Sequence, residues 1–212
     1  MCFIRRGLFA NCQFFDFFEK KAIPVGFLAC LTGLSYASIL SYLSIYAQGK
    51  NLLSMTSTFF LVFAAVMLLA RPFTGRLFDL KGPQYVLYPG LVLFIAGLIM
   101  LAYTSSAATF LTAGALIGLG YGSLVPSMQT LAIQSTSIER SGYATATFYT
   151  FFDGGIALGS YIFGIITAAN GYQSIYLISS ALVCCVFILL MILNPNKQDG
   201  KAADAVKEVE SF

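Results

Sequence analysis

The chain has 212 residues, of which 58% are hydrophobic and 10% charged, with a mean hydropathy of +0.81 and a formal net charge of +3. An ordinary soluble domain is about a quarter charged, so the composition excludes one and reads as a polytopic membrane protein. The absence of histidine further excludes zincin helices, Ser–His and Cys–His catalytic pairs and His-ligated haem, and no enzyme is expected.

Residues 1–21 mix Phe14, Phe15, Phe17 and Phe18 with Arg5, Arg6, Lys20 and Lys21. Asn11, Gln13, Asp16 and Glu19 interrupt any signal-peptide core, and the stretch is short for a span. An interfacial, linker-like segment is expected there. Crossing the hydrocarbon core takes about 20 apolar residues, and six stretches qualify. They are expected at about 22–47, 54–77, 84–103, 107–133, 141–169 and 173–193. Gln48-Gly49-Lys50-Asn51 closes the first, Asn170-Gly171 the fifth and Asn194-Pro195-Asn196 the sixth. No strand-like alternation competes, so an all-α bundle over 22–193 is predicted. The polar tail 194–212 reads as a solvated extension.

Charge is distributed unevenly among the connections. Between Lys21 and Arg71 the only charged residue is Lys50, yet Arg71–Gly82 holds Arg71, Arg76, Asp79 and Lys81. Eleven of the twelve Lys and Arg residues fall on one side of a six-span arrangement, and only Lys50 on the other. This positive-inside pattern predicts a multi-pass cell-membrane protein with both termini in the cytoplasm. The cysteines at 2, 12, 30, 184 and 185 form no metal-binding spacing and read as small apolar fillers.

An internal repeat organises the spans. Gly33-Leu34-Ser35-Tyr36-Ala37-Ser38 lies 85 residues before Gly118-Leu119-Gly120-Tyr121-Gly122-Ser123, with four of six positions identical. The offset maps helices one to three onto helices four to six, which then have opposite topology. Inverted repeats of this kind place binding sites near the midplane, which nominates Tyr36, Ser38, Tyr121, Ser123 and Pro126 as cavity residues.

Gly75-Arg76-Leu77-Phe78-Asp79-Leu80-Lys81-Gly82 resembles the major facilitator superfamily signature G-x-L-a-D-r-x-G-r-k between the second and third helices of each six-helix half. Gly75, Leu77, Asp79 and Gly82 match, whereas Leu80-Lys81 and Pro83-Gln84 depart from the basic end of the pattern. The weakened end and the preceding Arg71-Pro72 resemble the C-terminal copy. Glu139-Arg140-Ser141-Gly142-Tyr143-Ala144 resembles the loop before the eleventh helix of bacterial drug and sugar efflux members. The resemblance covers roughly residues 14–195 and implies helices seven to twelve of a twelve-helix secondary transporter. The other six-helix half is then expected in cis or in trans, in a fuller chain or encoded separately. A latch at the cytoplasmic surface is implied for Arg71, Gly75, Arg76, Asp79, Gly82, Glu139 and Arg140, with Asp79 placed near a helix N-terminus that favours its charge.

Asp153 is the sharpest candidate for coupling or substrate binding. It falls about 11 residues inside the fifth span, some 16 Å deep at ~1.5 Å per residue. No other Asp, Glu, Lys or Arg lies in the core of any span. A charge at such a depth costs roughly 2.5–3.5 kcal/mol on insertion scales and by default marks an ion or substrate path. Its helical neighbours Ala146, Tyr149, Thr150, Ala157 and Ser160 form a small, polar face. No span supplies a cation to pair with it, which suits a proton carrier.

The function expected is proton-coupled efflux of a small organic solute by a C-terminal half, with the proton gradient in place of a cofactor and no nucleic-acid partner. No Walker A motif is present for driving transport with ATP. The competing reading is a non-transporting fragment or a six-helix membrane scaffold that needs a partner half.

Overall fold

The computed structural model describes residues 19–193. Six long helices account for nearly all of them: α1 Ile23–Gly49, α2 Thr56–Lys81, α3 Gln84–Ala102, α4 Ala107–Gln134, α5 Ser141–Asn170 and α6 Tyr172–Leu193. Each is long and apolar enough to cross a membrane, and no strand occurs among the described residues. The expected interfacial segment before Glu19 and the tail after Leu193 lie outside the described residues.

Local chemistry sets several boundaries. Pro24 sits in the first turn of α1, where a missing N–H costs nothing. Ser106 and Thr109 form a reciprocal capping box that starts α4: Thr109 N–H donates to Ser106 Oγ and Ser106 N–H to Thr109 Oγ1. Gly171, at φ +77°, ends α5 where the Asn170-Gly171 pair predicted a stop.

The largest departure from expectation is in α2. The second span was expected to end near residue 77, with the rest of the charged stretch 71–82 in the connection that follows, but α2 continues to Lys81. Pro72 is accommodated inside the helix, and no residue from Phe73 to Lys81 forces an end. Gly82 does: at φ +92° it closes the helix, its N–H donating to Phe78 O at 2.9 Å, and Pro83 follows. Asp79 therefore lies in the last turn of α2 and not at a helix N-terminus, a position where the helix dipole disfavours a negative charge.

Packing follows the predicted repeat. α1 packs chiefly on α5 and then α6, and α4 chiefly on α3 and α2. Exchanging the first three helices for the last three leaves these pairings in place. Gly33 of α1 and its repeat partner Gly118 of α4 make the same contact. A Cβ at Gly33 would lie 2.5 Å from the Phe152 carbonyl oxygen of α5, and one at Gly118 would lie 2.5 Å from the Phe63 carbonyl oxygen of α2. One turn on, Tyr36 and Tyr121 stack on each other, with ring centroids 4.1 Å apart and planes at 14°. The bundle is thus two inverted three-helix repeats meeting at paired tyrosines.

Tyr121 is the hub of an aromatic core. Its ring also meets Phe63 of α2, Phe94 of α3 and Phe152 of α5, at 5.8 to 6.5 Å between centroids. Such ring pairs each add about 0.5–1.5 kcal/mol beyond the area they bury. α2 and α5 are the least buried helices, each leaving one long face uncovered.

Candidate functional site

The two uncovered helices carry most of the nominated residues. On α5, the residues Gly142, Ala146, Tyr149, Thr150, Asp153 and Ala157 are exposed and recur at helical spacing, so they form one stripe. Asp153 sits mid-helix in that stripe, on a face that no other helix of this chain covers. Among the described residues it has no ion-pair partner. Tyr149 donates from its hydroxyl to Gln129 Oε1 of α4 at 3.2 Å, and Thr150 donates to Ala146 O of its own helix at 2.8 Å.

A cleft of about 430 Å³ opens beside Tyr149, between α2, α4 and α5. Arg71, Gly75 and Asp79 line it from α2, four residues apart and hence on one side of that helix; Pro126, Gln129 and Thr130 face them from α4. The structure so brings together residues that the sequence assigned to three groups, the latch (Arg71, Gly75, Asp79), the cavity (Pro126) and the face around Asp153 (Tyr149). Pro126 cannot donate to the Gly122 carbonyl one turn back, which breaks the α4 ladder at the cleft. Gln129, Thr130, Thr74 and Phe78 also line the cleft and were not singled out in the sequence. The signal available for Gln129 was an amide one turn from Pro126 in an apolar helix.

The other nominated residues lie elsewhere. Arg76 and Glu139 are exposed outside the cleft, and Gly82 serves as the α2 terminator. Among the described residues no ion pair joins Arg71, Arg76 and Asp79. Ser38 and Ser123 are buried and donate back to their own helices, to Ser35 O and Leu119 O respectively. Tyr36 is half-buried beneath the stack with Tyr121. The repeat segments thus form the centre of the bundle, with the Tyr121 ring packed towards Phe152 of α5 and both serines turned onto their own helices.

One electrostatic contact was not foreseen. Glu19, read in the sequence only as an interruption of apolar character, turns inward at the start of α1. Its Oε2 lies 3.1 Å from Arg140 Nε, and its N–H donates to Thr147 Oγ1 at 3.0 Å. Arg140 lies in the short 3-10 turn Ile138–Arg140 before α5 and sits over the Tyr143 ring at 5.4 Å. The contact ties the entry of α1 to the entry of α5, the helix that carries Asp153.

Comparisons with known proteins agree with the fold. The family model described as Major Facilitator Superfamily matches residues 18–211. The multidrug resistance protein MdtG of Escherichia coli O1:K1 / APEC is 28% identical over 189 residues, covering 84% of this chain and 46% of the relative. The same figures hold for MdtG of Escherichia coli strain SE11. Among solved structures, a mutant of the peptide transporter POT in complex with alafosfalin superposes with a TM-score of 0.70 at 18% identity, covering 97% of this chain and 46% of that one. The same mutant in complex with sulfate gives a TM-score of 0.71. The chain spans about half the length of the curated relatives it matches.

Proposed function

Since the chain belongs to the Major Facilitator Superfamily, a family of transporters and not of enzymes, we propose that it forms the C-terminal half of a proton-coupled exporter of a small organic solute. The observation that carries this reading is Asp153: a carboxyl at mid-span on an uncovered, small and polar helix face. Lipid does not tolerate such a face, whereas a second half or a water-filled path accepts it. Tyr149, Thr150, Tyr36 and Tyr121 form the polar and aromatic wall beside Asp153, where an organic solute stacks and hydrogen-bonds.

The cleft beneath is the conformational element. Arg71 and Asp79 have no partner among the described residues and face the side left uncovered, so they engage the other half when that end of the transporter closes. The charge asymmetry of the connections supports a cytoplasmic position for this end and for both termini in a cell membrane. Export, in preference to uptake, is the direction supported by the multidrug resistance name of the relative MdtG.

The test is Asp153→Asn in the completed transporter. It preserves size and hydrogen bonding but cannot carry a proton. The expected result is normal folding and insertion with loss of solute movement driven by a pH gradient. Unchanged pH-gradient dependence in that variant removes Asp153 from the coupling role.

A further inference from the structure

A second hollow lies on the other side of α5. It measures about 380 Å³ and is lined by Ile23, Pro24 and Phe27 of α1, Phe151 of α5, and Leu189 and Ile192 of α6. Every lining side chain named is hydrocarbon or aromatic. Phe151 stands two residues before Asp153, which on a helix is about 160° around the axis. The groove therefore opens away from the polar stripe, and it remains on the lipid side when a second half covers that stripe.

The charge at its mouth is specific. Lys20 and Lys21 form the turn immediately before Ile23 and are both exposed. The adjacent acid, Glu19, does not neutralise them, because it is turned inward onto Arg140. Neither lysine has an ion-pair partner among the described residues. Two exposed cations thus stand in the turn that leads into Ile23, the first groove residue, at the end of α1.

We propose that this groove is a binding site for one anionic phospholipid. An acyl chain lies against Phe27, Phe151 and Ile192, and the headgroup phosphate is held by Lys20 and Lys21. A zwitterionic headgroup fits less well, since it brings its own ammonium towards the two lysines. The Glu19–Arg140 contact acquires a purpose here: it withdraws the acid that otherwise competes with the phosphate.

The chain has no tryptophan, so Phe27→Trp creates a single reporter inside the groove. The full chain carrying that change is placed in phosphatidylcholine vesicles containing increasing fractions of acyl-brominated phosphatidylglycerol or, separately, acyl-brominated phosphatidylcholine. Half-maximal quenching by the anionic lipid is expected at a mole fraction between about five- and thirty-fold lower, the effect of one to two lysines near a phosphate. Adding Lys20→Gln and Lys21→Gln brings the two curves together, while Lys50→Gln, at the opposite end of α1, leaves them apart. Coincident curves for Phe27→Trp, or a difference that survives the double lysine replacement, overturns the proposal. Quenching by both lipids that rises equally when residues 1–18 are removed also overturns it, because this chain's own Phe-rich start then fills the groove.

Discussion

Replacing Gly118 with alanine tests the packing on which the polar stripe depends. A Cβ there meets the Phe63 carbonyl oxygen at 2.5 Å and the Phe63 Cα at 3.1 Å, inside the 3.4 Å at which ordinary contact begins. Both obstacles are backbone, so no side chain can rotate away. α2 has to move off α4 by about 1 Å, loosening the dispersion contacts along that seam. Overpacking of this kind costs about 1–3 kcal/mol, and the alanine gains back up to ~1 kcal/mol of helix propensity. For a chain of this length each kcal/mol is worth roughly 2–4 °C in Tm. Gly118→Ala is therefore expected to lower the thermal midpoint of the detergent-solubilised protein by several degrees, read by loss of the monodisperse peak after heating. Gly33→Ala, with the same 2.5 Å encounter across the repeat, shifts it by a similar amount. Gly154→Ala, where a Cβ meets nothing within 4 Å, leaves the midpoint unchanged or raises it. Equal midpoints for Gly118→Ala, Gly154→Ala and the unaltered chain refute the close-approach reasoning.

Further outcomes follow from the same contacts. Arg140→Gln leaves the inward-facing Glu19 carboxylate without its cation and is expected to cost about 2–3 kcal/mol, whereas Glu19→Gln, which frees the more exposed partner to reach water, costs about 1 kcal/mol or less. Chemical unfolding of the two variants side by side gives the order. Tyr121→Ala removes the ring shared by four helices and is expected to cost about 3–5 kcal/mol, while Tyr121→Phe keeps the stack and is nearly neutral for stability. In the assembled transporter, Gly75→Ala is expected to slow transport without lowering the stability of this half, since Gly75 lines the cleft with open space around it. Initial rates compared with thermal midpoints separate the two effects.

Helix number, extent and the inverted repeat were legible in the sequence because the signals are long and collective. Apolar runs of span length, one-sided Lys and Arg and the paired Gly33 and Gly118 segments each integrate many residues. The end of α2 was set about four residues early, at 77, because Asp79 and Lys81 were taken as part of the connection. Charged residues do not end a helix that has reached the membrane surface; the left-handed conformation of Gly82 does. Asp153 was recognisable as a lone carboxyl in an apolar span, and helical spacing found its stripe except for Ser160, which is half-buried and hydrogen-bonded to Ser41 of α1. The cleft was not legible, because it needs the α2–α4–α5 arrangement to bring Asp79 and Gln129 to one hollow. Ser38 and Ser123 show the converse: repeat position named them, but local rotamers turn their hydroxyls onto their own helices. Glu19 was passed over because its partner lies 121 residues away, and no local pattern reports such a pairing.

The most direct test of the half-transporter reading is solute flux in sealed vesicles under an imposed pH gradient, with this chain alone and with an N-terminal six-helix half supplied in cis or in trans. The uncovered faces of α2 and α5 predict no flux from the chain alone and gradient-driven flux from the pair. Gradient-driven flux from the six-helix chain by itself contradicts it.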